Sequence, residues 1–227
     1  MDLIAAGIAD NRSVSTPSWD SSYAGSTPPP WDLGRPQPAF VRLAEQGLLT
    51  GQVLDVGCGT GEQTLLAASS GAEALGVDVS PLALEQARAK AVARGSPAAA
   101  GGQIGRARFE VGDALNLADL GLSFDTVIDC GLFHVFDDDR RVGYVASLAS
   151  VLRPGGHLYL MCFSDRQPGT FGPRRVSQDE LRAAFGDGWM ILAIQTDTFA
   201  LNLGFFPDTT AQAWLATVRR LSPPPEG

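Results

Sequence analysis

The sequence predicts a doubly wound α/β fold, a seven-stranded and mostly parallel sheet with helices on both faces. Three observations carry that expectation. Strand and helix patterns alternate from Gln52 to Phe163. A glycine-rich turn, Gly57-Cys58-Gly59-Thr60-Gly61, joins the first strand to the first helix of that series. The chain has 227 residues, of which 44% are hydrophobic, enough for one sizeable core and too few for two comfortable domains.

Residues 1 to 30 are rich in Ser, Thr, Pro and Gly and end in Thr27-Pro28-Pro29-Pro30, a composition that cannot pack a core alone. They are expected to form a flexible tail or lid, with one domain over residues 31 to 227. Phe40, Val41, Leu43 and Ala44 fall at helical spacing between Pro36 and Gln46, and Gly47 is a stop signal. Then come a strand over 52 to 56, a helix over 63 to 69, a strand over 74 to 78 and a helix over 81 to 94. A Pro, Ala and Gly run from Gly95 to Gly105 reads as a flexible insertion before a strand over 107 to 111. The alternation resumes with a strand over 125 to 129, a helix over 138 to 152, the turn Arg153-Pro154-Gly155-Gly156 and a strand over 157 to 163. A helix over 177 to 185, opened by a capping box of Ser177 and Glu180, leads to strands near 189 to 195 and 210 to 217 that close one sheet edge.

The charge balance narrows the partners. With 17 Lys and Arg against 25 Asp and Glu the formal charge is −8, so the overall field repels nucleic acid and anionic lipid. Cys58, Cys130 and Cys162 have neither metal-ligand nor disulfide-framework spacing and read as buried thiols of a reducing cytoplasm. No basic region precedes the first short apolar run and no segment approaches bilayer-spanning length, so neither export nor membrane insertion is expected.

In an open parallel sheet, ligands bind at the carboxyl ends of strands where strand order reverses. The segment Asp55-Val56-Gly57-Cys58-Gly59-Thr60-Gly61-Glu62 lies at such an end. A dinucleotide site wants Gly-x-Gly-x-x-Gly, but here the third glycine comes one residue early and Glu62 stands in its place. A phosphate-cradling loop needs a lysine after its last glycine, and none follows Gly61. The pattern Asp55-x-Gly57-x-Gly59-x-Gly61 resembles that of the class I S-adenosylmethionine-dependent methyltransferases, whose Rossmann-like fold agrees with the alternation above. The resemblance implies that the loop, with Cys58 and Thr60, wraps the methionine and ribose parts of S-adenosylmethionine. It implies that Asp78, followed by Val79 and Ser80, accepts hydrogen bonds from the ribose hydroxyls. It also implies that Asp113 and Ala114 meet the adenine, and that Asp129 and Cys130 end the fourth strand beside the transferable methyl.

Asp129-Cys130-Gly131-Leu132-Phe133-His134 lacks the polar residue, paired prolines and aromatic usual in enzymes that methylate bases, which again disfavours nucleic acid. Trp19-Asp20-x-x-Tyr23 and Thr27 to Pro38 resemble the amino-terminal region of the thiopurine, thiol and halide methyltransferase group, and more closely actinobacterial proteins that methylate heterocyclic or quinone-like toxins. Two prolines exceed the usual Thr-Pro-Trp-Asp. From this resemblance Trp31 covers the cofactor, and Trp19, Tyr23 and Phe40 wall an acceptor pocket; Phe133 beside the fourth-strand end, and Phe163, Phe171 and Arg174 from the fifth strand onward, are expected on the acceptor side by their place in the chain. The expected acceptor is a small heteroaromatic or phenolic molecule, methylated at oxygen, sulfur or nitrogen by a monomer or homodimer. A small thiol or halide is the alternative, and a nicotinamide-dependent oxidoreductase or a silent S-adenosylmethionine-binding protein is more remote.

His134 is the best-placed candidate general base for a neutral hydroxyl, but the reading the sequence favours is a histidine that only bonds backbone at the start of a helix or lines the pocket. Arg174 and Arg175 read either as pocket residues or as partners of Asp179 or Glu180. Asp137-Asp138-Asp139 opens a helix, so capping and the helix dipole explain it without a metal.

Overall fold

The computed structural model describes residues 16–95, 107–170, 172–202 and 209–222. Seven strands form one sheet in the order β3-β2-β1-β4-β5-β7-β6. They are β1 (Gln52–Val56), β2 (Glu73–Asp78), β3 (Ala107–Val111), β4 (Phe124–Cys130), β5 (Leu152–Phe163), β6 (Trp189–Ala200) and β7 (Thr210–Arg220). All pairings from β3 through β5 are parallel, whereas β7 runs antiparallel to both β5 and β6. The order reverses between β1 and β4, which leaves a crevice at their carboxyl ends.

The central strands are apolar on both faces because both faces are covered. On one face Val53, Ala74, Phe109, Ile128 and Met161 meet Phe40 and Leu43 of α2 (Pro38–Glu45), Leu65 of α3 (Glu62–Ser69) and Leu84 of α4 (Pro81–Ala93). On the other, Leu54, Val77, Val127 and Leu160 meet Tyr144 and Leu148 of α5 (Asp138–Val151) and Leu181 of α6 (Gln178–Ala184). The capping box of Ser177 and Glu180 is present at α6, and Ser80 caps α4 by accepting from Ala83 N.

The structure revises several boundaries. The first predicted helix starts at Pro38, where a proline in the first turn forfeits no hydrogen bond. The turn at 153 to 156 lies within β5, and the register slips there between Phe124 and Thr126 of β4. β6 continues to Ala200 and β7 to Arg220, because their antiparallel pairing runs through Phe199↔Ala211 and Ala200↔Thr210. A 3-10 segment over Ala114–Leu120 follows β3. Within the expected tail, Thr16–Tyr23 forms helix α1, whose Tyr23 is buried against the domain. The predicted insertion after Gly95 lies almost wholly outside the described residues.

Candidate active site

The carboxyl ends of β1, β2 and β4 open into a cavity of about 590 Å³, a size that suits a small-molecule site. Its floor is the turn after β1. Gly57 and Cys58 donate their N–H groups to Val77 O at 2.8 and 3.0 Å, which ties the turn to β2. Gly59 has φ +52 and lies so close to the lid that a Cβ there would be 2.9 Å from the Tyr23 hydroxyl. Gly61, φ +83, has no room for a side chain either, since a Cβ would sit 2.6 Å from the Phe109 ring.

Asp78, at the end of β2, accepts from Gly59 N at 2.8 Å and from Ser80 N at 2.9 Å, one bond on each carboxylate oxygen. The Val79 N–H also supports this carboxylate, which lines the cavity with acceptor capacity left for a ligand. Burial holds its pKa above the usual carboxylate range against these bonds. Asp55 and Asp129 lie deeper. Asp55 accepts from the Thr64 hydroxyl at 2.6 Å, and burial pushes it up to about 7. Asp129 accepts from Leu132 N, Phe133 N and the Tyr144 hydroxyl, and burial pushes it up to about 6. Three desolvated carboxylates thus converge behind the turn, an environment that favours a cationic ligand.

These shifts set a pH dependence. Each acid is protonated more readily in the folded state, so its contribution to stability falls as pH rises from the unfolded value, about 4, to the folded one. His134 opposes them: burial, with Arg175 nearby, lowers it to about 3, so below about 6.5 acidification costs stability through that group. Two acids against one imidazole leave a net gain on acidification from about pH 8 to about pH 5, above the range in which Glu62, held low by its cations, is protonated in the unfolded chain. Without ligand, the melting temperature is therefore expected to be higher at pH 5 than at pH 8. A thermal scan in which it is lower at pH 5 contradicts this account of the buried acids.

The lid crosses the cavity mouth. Trp31 donates through Nε1 to the Tyr23 hydroxyl at 3.0 Å, and Trp19 meets Trp31 edge to face at 6.0 Å. Asp20 accepts from the Ser80 hydroxyl and Gln86 donates to Tyr23 O, which fasten α1 to the start of α4. Thr60 accepts from Lys90, which also pairs with Glu62 at 2.8 Å; Arg94 grips the same carboxylate with two bonds. Burial would raise Glu62, but these cations hold it below the ordinary range. A carboxylate therefore occupies the start of α3, where a dinucleotide would place its pyrophosphate.

At the far end, Cys130, His134, Phe163 and Phe199 form a largely apolar chamber. Nδ1 of His134 accepts from Phe163 N at 3.0 Å, and its ring meets Phe163 and Phe199 edge to face at 5.2 and 6.0 Å.

Of the residues read from the sequence, Trp19, Tyr23 and Trp31 line the cavity, as do Gly57, Cys58, Gly59 and Thr60 of the turn. Asp78, Val79, Ala114, Cys130, His134, Phe163 and Arg174 line it as well. Others stand behind it. Asp55 and Asp129 support the turn and the β4 end from the interior, and Gly61 and Ser80 shape the backbone. Two aromatic assignments are corrected: Phe40 is 0% exposed within the α2 face of the core, and Phe133 is 0% exposed and stacks on Phe185 at 5.9 Å, so neither walls the cavity. Asp113 turns its carboxylate to Leu115 N and Asn116 as the cap of the 3-10 segment, so only its neighbours Gly112 and Ala114 reach the cavity. Arg174, at the rim, is paired with Asp138 and Glu180. Phe171 lies outside the described residues. Asp137 caps α5 through Arg140 N, and no cluster that could hold a metal occurs among the described residues.

Sequence reasoning missed Phe199, Leu201 and Gln37, all of which line the cavity. Gln37 holds the backbone of Ala200 with two bonds of 3.0 and 2.9 Å and so pins the end of β6 over the chamber. The alternation of Thr196, Thr198 and Ala200 with Phe199 was the available signal for the longer strand.

The donor set suits a nucleoside carrying a cationic amino-acid chain. Asp78 offers paired acceptors, the turn leaves no room for side chains at Gly59 or Gly61, and the buried acids favour positive charge. Comparison with known proteins agrees. Residues 53–156 match a methyltransferase domain family. A 2-heptyl-1-hydroxyquinolin-4(1H)-one methyltransferase of Mycobacteroides abscessus is 34% identical over 202 residues, 86% of this chain and 86% of that protein. A probable thiol methyltransferase 2 of Arabidopsis thaliana is 30% identical over 183 residues, 79% of this chain and 74% of its own. A solved structure concerned with conversion of a disulfide bond into a thioacetal group during echinomycin biosynthesis superposes with a TM-score of 0.78 at 37% identity, covering 91% of this chain and 93% of that one. A structure from Anabaena variabilis, described as an S-adenosylmethionine-dependent methyltransferase, shares the fold, with a TM-score of 0.69 at 22% identity over 89% of this chain and 91% of its own.

Proposed function

The chain belongs to the class I S-adenosylmethionine-dependent methyltransferases, and from that premise we propose that it methylates an oxygen, sulfur or nitrogen atom of a small, flat, apolar acceptor. The observation that carries this reading is the continuity of one cavity from Asp78 to the chamber of Phe163, Phe199 and Leu201. Aromatic walls of that kind favour a heteroaromatic or phenolic ring over a hydrated ion. The hydroxyquinolone methylated by the Mycobacteroides relative suggests an N-hydroxy or phenolic heterocycle as the acceptor. Detoxification or secondary metabolism in the cytoplasm, by a monomer or homodimer without nucleic acid, is the setting this reading implies.

When bound, S-adenosylmethionine supplies an electrophilic methyl carbon on a sulfonium. The turn and Asp78 would hold its amino-acid and ribose parts, with Gly112 and Ala114 beside the adenine. Trp19, Tyr23 and Trp31 would exclude water from a displacement that depends on alignment. His134 is assigned no role as general base: its Nδ1 is occupied by the Phe163 N–H, so the neutral ring carries its proton on Nε2.

The test is a methyl-transfer assay with 2-heptyl-1-hydroxyquinolin-4(1H)-one, a flat phenol and hydrosulfide. The heteroaromatic and phenolic acceptors are expected to be turned over with a kcat/KM at least about tenfold above that of hydrosulfide, since about 1.4 kcal/mol of ring contact suffices for that difference. Turnover of hydrosulfide alone would favour the small-thiol reading suggested by the Arabidopsis relative. No turnover of any acceptor would contradict both.

A further inference from the structure

Resting on the reading just given, we propose that His134 is a hydrogen-bond donor that captures the acceptor as an anion, through Nε2–H. The enzyme would thus select flat acceptors that lose their proton to solvent, N-hydroxy heterocycles and acidic phenols or thiols.

The geometry leaves the ring one polar edge. Nδ1 takes the Phe163 N–H at 3.0 Å, which places the proton of a neutral imidazole on Nε2. Gly131, φ +91, ends the turn after β4 and lines the cavity. A Cβ built there would lie 3.5 Å from His134 Nε2 and 3.6 Å from the Phe199 ring, so both residues converge on the space above a bare backbone. An acceptor atom in that space meets the Nε2–Cε1 edge of the imidazole on one side and the ring edge of Phe199 at Cζ on the other.

The groups around the imidazole keep it neutral, burial first and the nearby Arg175 second. From the segment after β5, the Arg175 guanidinium lies 5.4 Å over the Phe163 ring, while Arg174 at the rim is paired with Asp138 and Glu180; Asp137 and Asp138 of the α5 start also line the cavity. β5 and β6 contribute the uncharged rings of Phe163 and Phe199. From β4 come Cys130, whose thiol is pushed up by burial and by the charges of Asp55 and Asp129, and Asp129 itself, whose oxygens are engaged by Leu132 N, Phe133 N and Tyr144. A cation at Nε2 is disfavoured there, so the imidazole offers a neutral N–H, and an anionic acceptor draws its stabilisation from that bond and from the sulfonium it faces.

No proton moves within the enzyme in this step. The acceptor has lost its proton to solvent. Its lone pair forms the new bond to the methyl carbon while the carbon–sulfur pair stays with sulfur, so the anion and the sulfonium are neutralised together. Because the bond from Nε2 is strongest to the full anion and weakens as that charge is lost, its removal raises KM and does not lower kcat.

The experiment compares the parent with His134→Gln, which can present an N–H where Nε2 stood, and with His134→Asn, which can accept from the Phe163 N–H but is too short to reach the acceptor. The acceptors are 2-heptyl-1-hydroxyquinolin-4(1H)-one, an acidic N-hydroxy compound, and 2-naphthol, a flat phenol of ordinary acidity. For the parent, kcat/KM with 2-naphthol is expected to climb about tenfold per pH unit until the phenol itself is ionised at about 10, whereas the N-hydroxy compound shows no such climb above pH 7. His134→Asn is expected to raise KM by about 10- to 100-fold with kcat maintained, while its melting temperature stays close to the parent's. His134→Gln should keep more activity than the Asn variant and melt lower. A break at one shared pH for both acceptors, lost on substitution, would overturn the inference in favour of base catalysis. Activity that merely follows melting temperature across the variants would overturn it in favour of a structural histidine. Failure of the parent to methylate either compound, with S-adenosylhomocysteine still bound, would remove the proposed function and this inference with it.

Discussion

Replacement of Asp78 by alanine is expected to raise the Kd for S-adenosylhomocysteine by about 100-fold or more, with little change in melting temperature. This carboxylate is held by the backbone N–H groups of Gly59, Ser80 and Val79 and faces the cavity with its remaining acceptor capacity. Hydrogen bonds to a charged acceptor contribute roughly 1.5–3 kcal/mol each, so losing a pair costs about 3–6 kcal/mol, or a factor of roughly 10² to 10⁴. Folding stability moves less because burial already raises the pKa of Asp78, so the deletion relieves a desolvated charge as it releases three N–H groups near the cavity. Calorimetric titration and a thermal melt read both quantities. A Kd within about threefold of the parent's would be under about 0.7 kcal/mol and would leave Asp78 without its assigned role.

The second large effect is on the turn itself. Gly61→Ala is expected to destabilise the fold by about 2–5 kcal/mol, the sum of a left-handed backbone at roughly 1–2 and overpacking at roughly 1–3. The new methyl would stand 2.6 Å from Phe109 Cε1 and 3.0 Å from the Ala87 methyl, in a region closed by β3 and α4. Gly71 is the matched control: it has φ +98, but nothing lies within 4 Å of its absent Cβ. Gly71→Ala should therefore lose only the backbone contribution. At about 2–4 °C per kcal/mol for a domain of this size, the two variants should melt several degrees apart. Equal melting of both would mean that contact with Phe109 is not what keeps Gly61 bare.

Much of this architecture was legible because physical chemistry leaves few alternatives at the positions that carry it. Val53, Leu54, Leu75, Val77, Val127 and Ile128 are apolar on consecutive positions because β1, β2 and β4 are covered on both faces. The glycines of the turn and the acid at position 78 were legible for the same reason, since no other residue types combine those backbone angles with that acceptor pair. The far wall was harder to read. Phe40 and Phe133 are aromatics near the site in sequence, but helix phase and the stacking of Phe133 on Phe185 turn them into the core. Phe199 reaches the chamber only through the long pairing of β6 with β7, whose register slips between Ile191 and Ala193, and local pattern carries no trace of that slip. The orientation of His134 depends on the backbone of Phe163, a contact 29 residues away, so its role as donor could not be told from a role as base.

The central claim is that the turn from Gly57 to Gly61 and the carboxylate of Asp78 bind a nucleoside with an amino-acid chain. The most direct measurement is a calorimetric titration of the unmodified protein with S-adenosylhomocysteine and, separately, with NADH. The account predicts one saturable site of micromolar or tighter affinity for the first, about −8 kcal/mol or better, and no saturable binding of the second. Binding of NADH with none of S-adenosylhomocysteine would contradict it.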